Sequence, residues 1–388
     1  MEQAPKRRIL HISKYFPPYF GGIEEAVYYN CSSLKDFSHY VLCFNDQKKR
    51  KTDRVENIVC VRSGWFWKAA GQPLSLSMFF ILFQLLRRRK FDIVQFNAPH
   101  PLMSLYIVLL YPYLRLRGIK TTVFWHADFC MRELRCLVVV PLFPLLLLQL
   151  FLADRIIATS PKVIGESIFL RFVKKKCVAV PLPVNETIIA PQPGDEERIK
   201  VLRQKYGGKK IVFSIARHVY YKGFDYLIKA AENVREDAVY VIAGSGPQTP
   251  YLKKLAENCP NIFFPGRISN EEKRIFLYAS WIYAFPSVSN AEAFGIALAE
   301  GMYCGVPAVT FPIRASGVNW VGLDGETCIQ CSRQDVGELA KALEQLLKDD
   351  DLHARLAKNS FARAHRYFTL SNFSQSLSDI YGKLLAVR

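Results

Sequence analysis

Short runs of β-branched and aromatic residues alternate along this chain with longer stretches whose apolar positions recur at helical spacing. In the first half the runs fall at 8–12, 40–44, 58–61, 93–96, 120–124, 155–159 and 177–180, and helices fit between most of them. Apolar strands separated by helices predict a parallel sheet covered on both faces. Residues 183–208 interrupt the rhythm: Pro183, Pro191 and Pro193 are followed by a charged run and then Gly207 and Gly208, which predicts a linker plus a short helix. The alternation then resumes, with strands expected at 210–216, 238–243, 262–264, 282–285 and 308–311. The expected class is α/β, with doubly wound, Rossmann-like domains over residues 1–188 and 189–369. Ligands of such sheets sit beyond the carboxyl ends of the strands, so two of them facing each other would form the walls of a central cleft.

Composition agrees with two globular domains. The chain has 388 residues, 50% of them hydrophobic and 22% charged, enough for real cores and unlike a disordered chain. The net charge of +18 is concentrated in the front half, where residues 1–190 hold 27 Lys and Arg against 13 Asp and Glu. A basic protein raises nucleic acid as a partner. No zinc-finger spacing, RNP-like aromatic motif or helix-turn-helix supports it, so no nucleic acid is expected. Anionic lipid and phosphorylated substrates fit the charge better. The ten cysteines are scattered, several of them in apolar strands, as suits free thiols in a reducing compartment. Cys328 and Cys331 make one Cys-x-x-Cys without a second pair or a suitably spaced His, so a metal or redox role is not expected there. No signal-peptide core is legible near the N-terminus, and the expected location is the cytoplasm.

Three apolar stretches modify that picture. Residues 136–153 are uncharged, but Pro141 and Pro144 would break the first turns, so a buried or surface-lying helix is expected there rather than a membrane span. Residues 74–86 run into Arg87, Arg88, Arg89 and Lys90, and residues 101–114 end near Arg115 and Arg117. Apolar helices with basic ends predict peripheral docking on an anionic bilayer, at the inner face of the cytoplasmic membrane. The competing reading is core helices with solvated ends.

Five segments carry candidate chemistry. Residues 15–25 follow the first strand and hold Gly21 and Gly22, where backbone can approach a ligand and a helix near Ile23 would aim its amides at an anion. Arg217 and Lys222 flank a loop after the first strand of the second domain, where two cations could neutralise a leaving diphosphate. A surface basic loop is the plainer reading of that segment alone. Gly244 and Gly246 border a tight turn whose backbone could line a nucleotide. Residues 285–309 hold Glu292, Phe294, Gly295 and Glu300, with a helix expected to start near Phe294. Its N-terminus suits a phosphate. Glu292 could reach a sugar, and Glu300, about two turns in, could accept from ribose hydroxyls. The apolar residues around Glu300 argue against a merely solvated face, because a buried carboxylate needs a partner. His126 ends a front-domain strand and could orient a hydroxyl.

Taken together, these segments resemble the GT-B glycosyltransferases of family 4, the group 1 transferases. The resemblance rests on the glycine pair Gly21 and Gly22, on Arg217 with Lys222, and on Glu292 and Glu300 eight apart, and it spans nearly the whole chain. Residues 125–128, 154–160 and 316–327 also resemble a subgroup from bacterial polysaccharide and lipopolysaccharide gene sets, many of whose members are mannosyl- or rhamnosyltransferases. The resemblance implies a GT-B fold: an acceptor-binding front domain, a nucleotide-sugar-binding second domain, and a C-terminal helix within 370–388 crossing back to the front domain. It implies retention of configuration, no metal and no cofactor beyond the nucleotide-sugar donor. GDP-mannose is the first donor expected, and the acceptor is a glycan or polyprenyl-linked glycan. Arg217 and Lys222 would bind the diphosphate, Glu292 the donor sugar, Glu300 the ribose, Gly22 the diphosphate from the other domain, and His126 the sugar near the reacting carbon. Gly301 and Tyr303 replace the family's usual alanines, and Cys328 stands where many relatives have Gly. A sugar-nucleotide 2-epimerase of the same architecture and an inactive nucleotide-sugar or membrane-binding scaffold are the alternatives. A dinucleotide dehydrogenase fits least, because the Gly-x-Gly at Gly244 lacks a third glycine.

Overall fold

The computed structural model describes residues 6–19, 21–69, 72–128 and 140–386. The chain divides into two compact units: Met1–Leu182 with Phe373–Arg388, and Pro183–Asn372.

The first unit is built on β1 (Arg7–Ile12), β2 (Phe37–Phe44), β3 (Lys51–Val55), β4 (Ile58–Ser63), β5 (Trp67–Ala69), β6 (Gln72–Leu74), β7 (Ile93–Ala98), β8 (Lys120–Trp125), β9 (Arg155–Ala158) and β10 (Cys177–Ala179). Eight of these form one sheet in the order β10-β9-β8-β7-β1-β2-β4-β3, and β5 and β6 make a separate ribbon. Every neighbour in the large sheet is parallel except β3, which pairs antiparallel with β4. The apolar-run reading misses β3 because its residues are mostly charged and exposed, the chemistry that protects a sheet edge from further pairing. Leu10, Leu42, Phe96 and Val123 of the strands pack against Met78, Leu82, Met103, Leu110, Leu146 and Leu150 of the covering helices. Each such burial contributes about 1.5–3 kcal/mol. Helix Leu76–Arg88 starts where Ser75 accepts from the Met78 amide, and helix Pro101–Leu116 starts at His100 with Pro101 as its first residue. Helix Leu370–Ala386 covers the opposite face: the Tyr381 hydroxyl donates to Gln95 and accepts from Asn30, and Phe373 stacks near Phe124.

The second unit carries β11 (Lys210–Ile215), β12 (Ala238–Ala243), β13 (Ile262–Gly266), β14 (Ile282–Phe285), β15 (Ala308–Thr310) and β16 (Cys328–Gln330), in the order β13-β12-β11-β14-β15-β16 and parallel throughout. Val212, Tyr240, Ile282 and Val309 meet Leu227, Ile228, Leu339, Leu343 and Leu346 in its core. The short edge strand β16, only three residues long, escapes the sequence reading. So do the two helices that replace the expected linker with one short helix, Glu186–Ile189 and Asp195–Lys205. The longer one has three acidic residues in its first turn and two basic residues in its last, which complements the helix dipole. Both units are thus doubly wound α/β layers, as the alternation of apolar strands and helices predicts.

Among the described residues no helix is long and apolar enough to cross a membrane. The apolar stretch at 136–153 lies partly outside them, as do Cys130 and Cys136. Its described part forms helix Phe143–Leu152, which buries Leu146 and Leu150 and exposes Leu148 and Phe151.

Candidate functional site

In the second unit, the loops after β11, β12 and β14 converge on backbone contacts that only glycine permits. Gly223 has φ +65°, and a Cβ there would lie 2.1 Å from the Pro286 carbonyl oxygen. Gly244 has φ +112°, and a Cβ would lie 1.9 Å from the Ala216 oxygen. His218 ties the same loops together, with Nδ1 2.9 Å from the Thr249 hydroxyl and Nε2 3.3 Å from the Ala243 carbonyl. Since a carbonyl only accepts, Nε2 carries the proton. Burial lowers the pKa of His218, so this ring works as a neutral brace.

On that frame, the turn Tyr220–Lys222 delivers the Lys222 ammonium to the carboxylate of Glu292, with both side chains largely buried. Burial is the largest influence on the lysine and would lower its pKa, but the Glu292 charge, the nearby Tyr221 and the hydrogen bond to Glu292 together raise it. The Ser287 hydroxyl donates to the same carboxylate oxygen at 3.1 Å, and the Ser316 hydroxyl donates to the Glu292 carbonyl. The Oε1 of Glu292 stays free of these bonds. Arg217 follows β11 by two residues and is exposed, and its carbonyl accepts from the Val219 amide. A neutralised, oriented carboxylate can accept from hydroxyls, and an exposed guanidinium can face a diphosphate.

The helix expected near Phe294 begins two residues later, as Ile296–Tyr303, with Gly295 as its N-cap at φ +89°. This corrects the expected helix boundary. The Phe294 side chain is 2% exposed and meets Phe368 edge-on at 5.7 Å, so the ring anchors in the core the loop that leads into the helix start. Gly295 keeps the helix start clear, with only side chains near its missing Cβ. One helical turn further, Glu300 is 8% exposed and its Oε1 accepts from Lys273 Nζ at 2.6 Å. The partner that burial demands is therefore a lysine from helix Asn270–Ala279. Sequence reasoning named neither Lys273 nor His218, since neither stands in a glycine-rich or apolar motif.

In the first unit, Gly21 caps helix Gly22–Ser33 with extended backbone, and Glu24 and Glu25 occupy the first turn. An anion at that helix start would share it with two carboxylates. Arg62 pins the preceding segment: its Nε meets Asp53 at 3.0 and 3.1 Å, and its other nitrogens donate to the Phe16 and Pro17 carbonyls. Nothing in the sequence pattern singled out this buried arginine.

His126 follows β8 and is 1% exposed, stacked on Phe124 at 4.6 Å. Asn97 donates to the Ile12 carbonyl, leaving its Oδ1 to accept from His126 Nε2 at 3.2 Å. Nδ1 is left as a buried lone pair without a partner among the described residues. Burial pushes the pKa to about 3, so the ring is neutral and presents an acceptor. Asp128, two residues on, is spent on structure, accepting from Trp125, Ser167 and the Ile168 amide.

Among the described residues, one group brings soft metal donors together: His11, Cys31 and His39, with ligand atoms within 4.8 Å of one another. His39 Nε2 donates to the Leu34 carbonyl, so its Nδ1 accepts from His11 Nε2 at 3.0 Å. This hydrogen-bonded chain accounts for the histidine pair. Cys328 and Cys331 are both buried free thiols whose pKa values burial pushes up to about 12.

Residues 20–188 match the family model described as Glycosyltransferase Family 4, and residues 195–363 match that described as Glycosyl transferases group 1. The chain is 26% identical to the O-antigen chain mannosyltransferase C of Escherichia coli, over 97% of this chain and 99% of that protein. It is 27% identical to the D-rhamnosyltransferase WbpZ of Pseudomonas aeruginosa, over 93% and 92% respectively. Its fold is similar to the sucrose-phosphate synthase of Thermosynechococcus elongatus, with a TM-score of 0.79 at 18% identity, covering 99% of this chain and all of that one.

Proposed function

The chain is a glycosyltransferase whose two halves carry the family 4 and group 1 patterns, and we propose that it moves a hexose from a nucleotide sugar onto a growing, lipid-linked surface glycan. GDP-mannose is the first donor to test. The observation that carries this reading is the buried Lys222–Glu292 pair, set after β11 and β14 next to the helix start at Gly295. Similarity to an O-antigen mannosyltransferase and to a D-rhamnosyltransferase supports the choice of sugar and of surface glycan.

In this reading, an ammonium has three N–H donors and Glu292 takes one of them. The others, with Arg217 and the amides at Gly295, stabilise the departing diphosphate. Gly244 lines the nucleotide, and in the first unit Gly21 and Gly22 offer backbone that can approach a phosphate. The free Oε1 of Glu292 accepts from donor-sugar hydroxyls, Glu300 accepts from the ribose, and the bare Nδ1 of His126 accepts from a hydroxyl near the reacting carbon. Leaving-group charge is carried by protein cations, so the reading needs neither metal nor cofactor. In this reading the transfer retains the anomeric configuration. The enzyme works on the inner face of the cytoplasmic membrane, with its basic front unit against the lipid.

The test is transfer and slow donor hydrolysis across GDP-mannose, a GDP-deoxyhexose, UDP-glucose and UDP-N-acetylglucosamine, with the Glu292→Gln protein alongside. Turnover of one donor that this substitution abolishes supports the proposal. Epimer formation from donor alone, or no donor binding at all, overturns it.

A further inference from the structure

The two carboxylates assigned to the donor are both already held by lysines, yet only Lys222 lies in a segment that the reading above uses. Lys273 comes from a helix with no assigned role, and its position there is tightly fixed. Ser269 and Glu272 form a reciprocal capping box at the start of helix Asn270–Ala279. Next to Lys273, Arg274 makes two bonds to Asp195, at 2.7 and 2.9 Å, and donates to the Ile188 carbonyl at 3.2 Å. Both Arg274 and Asp195 are buried. With cap and neighbour locked, the helix has little freedom to withdraw Lys273 from Glu300.

The contact is also one-sided. Lys273 engages Oε1 of Glu300, and among the described residues nothing bonds to Oε2. A carboxylate tied at one oxygen cannot rotate freely, so its second oxygen has a fixed direction. We infer that Lys273 is a positioning residue for the nucleotide's ribose: by holding Oε1 it makes Glu300 present Oε2 alone, as a directed acceptor for one ribose hydroxyl. This rests on the reading that Glu300 faces the ribose. The ligand class is a ribonucleoside diphosphate, and the consequence is unequal reading of its two ribose hydroxyls. A charge-assisted hydrogen bond to a fixed acceptor discriminates by roughly 10–100-fold against an analogue lacking the donor.

The experiment measures binding of GDP, 2′-deoxy-GDP and 3′-deoxy-GDP to the full chain, repeated with the UDP series if UDP binds the wild type more tightly. The wild type is expected to lose affinity about tenfold or more for one deoxy analogue and much less for the other. Lys273→Met should bring the two analogues to within about threefold of each other, and Lys273→Arg should restore most of the difference. Lys273→Gln serves if the Met variant does not fold, and the same loss of contrast is expected. Retained contrast in the Met or Gln variant, with contrast lost in Glu300→Gln, overturns the inference and leaves the ribose reading standing. Contrast retained in Glu300→Gln overturns the ribose reading itself. A wild type that binds both analogues equally overturns the inference.

Discussion

The Lys222 ammonium meets the Glu292 carboxylate across 70 residues of sequence, with both side chains more than four-fifths buried. A pair in that setting has two roles that mutation can separate. As part of the site, Lys222→Met and Glu292→Gln should each lower kcat/KM by about 10²–10³. As a buried pair, each single substitution leaves an unpaired polar or charged partner and should destabilise the fold by about 3 kcal/mol. Combining them should recover much of that stability without recovering activity. Urea unfolding beside donor turnover checks both; a double variant as unstable as the sum of the singles would show that burial of the pair is not what matters.

Glycine substitution distinguishes close approach from mere turn-making. Gly223 and Gly207 have nearly the same φ, +65° and +67°, but only Gly223 has a backbone oxygen where its Cβ would stand. Gly207→Ala should cost about 1–2 kcal/mol, the strain of a left-handed residue. Gly223→Ala adds a clash with Pro286 that forces the Lys222 turn to move, so stability and transfer should both fall further. Equal unfolding free energies for the two variants would refute the tight loop packing.

The contrast between those glycines also shows what the sequence could convey. Continuous apolar runs identify most parallel strands, because a strand covered on both faces must be apolar throughout. The charged edge strand β3 and the three-residue β16 lack that signal. Glu292, Arg217 and Lys222 stand out by charge in loops that follow strands, and Glu300 as a carboxylate among apolar helix residues. The helix that follows begins at Ile296, two residues after the expected Phe294, because the left-handed Gly295 delays the helical backbone. Lys273, Arg62 and His218 act through partners distant in sequence, and one sequence does not pair residues across space.

Buried neutral histidines should make the fold acid-sensitive. Burial holds the pKa of His126 and His100 near about 3 and that of His39 near about 4. An unfolded histidine titrates near about 6.5. Between those values the unfolded chain binds more protons than the native one, so stability rises with pH and is lost as pH falls below about 6.5. Each histidine adds a slope of up to about 1.4 kcal/mol per pH unit. His100→Asn, which keeps a capping side chain before Pro101, should remove one such slope between about pH 4.5 and 6. Unfolding free energies with the same pH dependence as wild type would show that His100 is charged in the native protein.

Membrane contact can be tested on residues whose loss should leave the fold intact. Helix Leu76–Arg88 exposes Leu76 and Phe80 at 66% and 62%, and helix Pro101–Leu116 exposes Leu109 and Leu116 at 59% and 87%. The two helices pack together through Phe79 with Tyr106 and Phe83 with Tyr113. Their basic ends carry Arg87, Arg88, Arg115 and Arg117. Apolar side chains beside cations favour an anionic bilayer, at about 1 kcal/mol per basic residue near the surface. Arg87→Gln with Arg88→Gln should therefore weaken binding to phosphatidylglycerol vesicles by about tenfold or more, and raised salt should weaken it further. Phe80→Ser with Leu116→Ser should weaken it without that change in salt dependence. Neither pair should move the thermal midpoint by more than a degree or two, since the side chains are exposed. Equal binding of the wild type to neutral and anionic vesicles would refute the electrostatic part, and no binding to either would refute docking through this face.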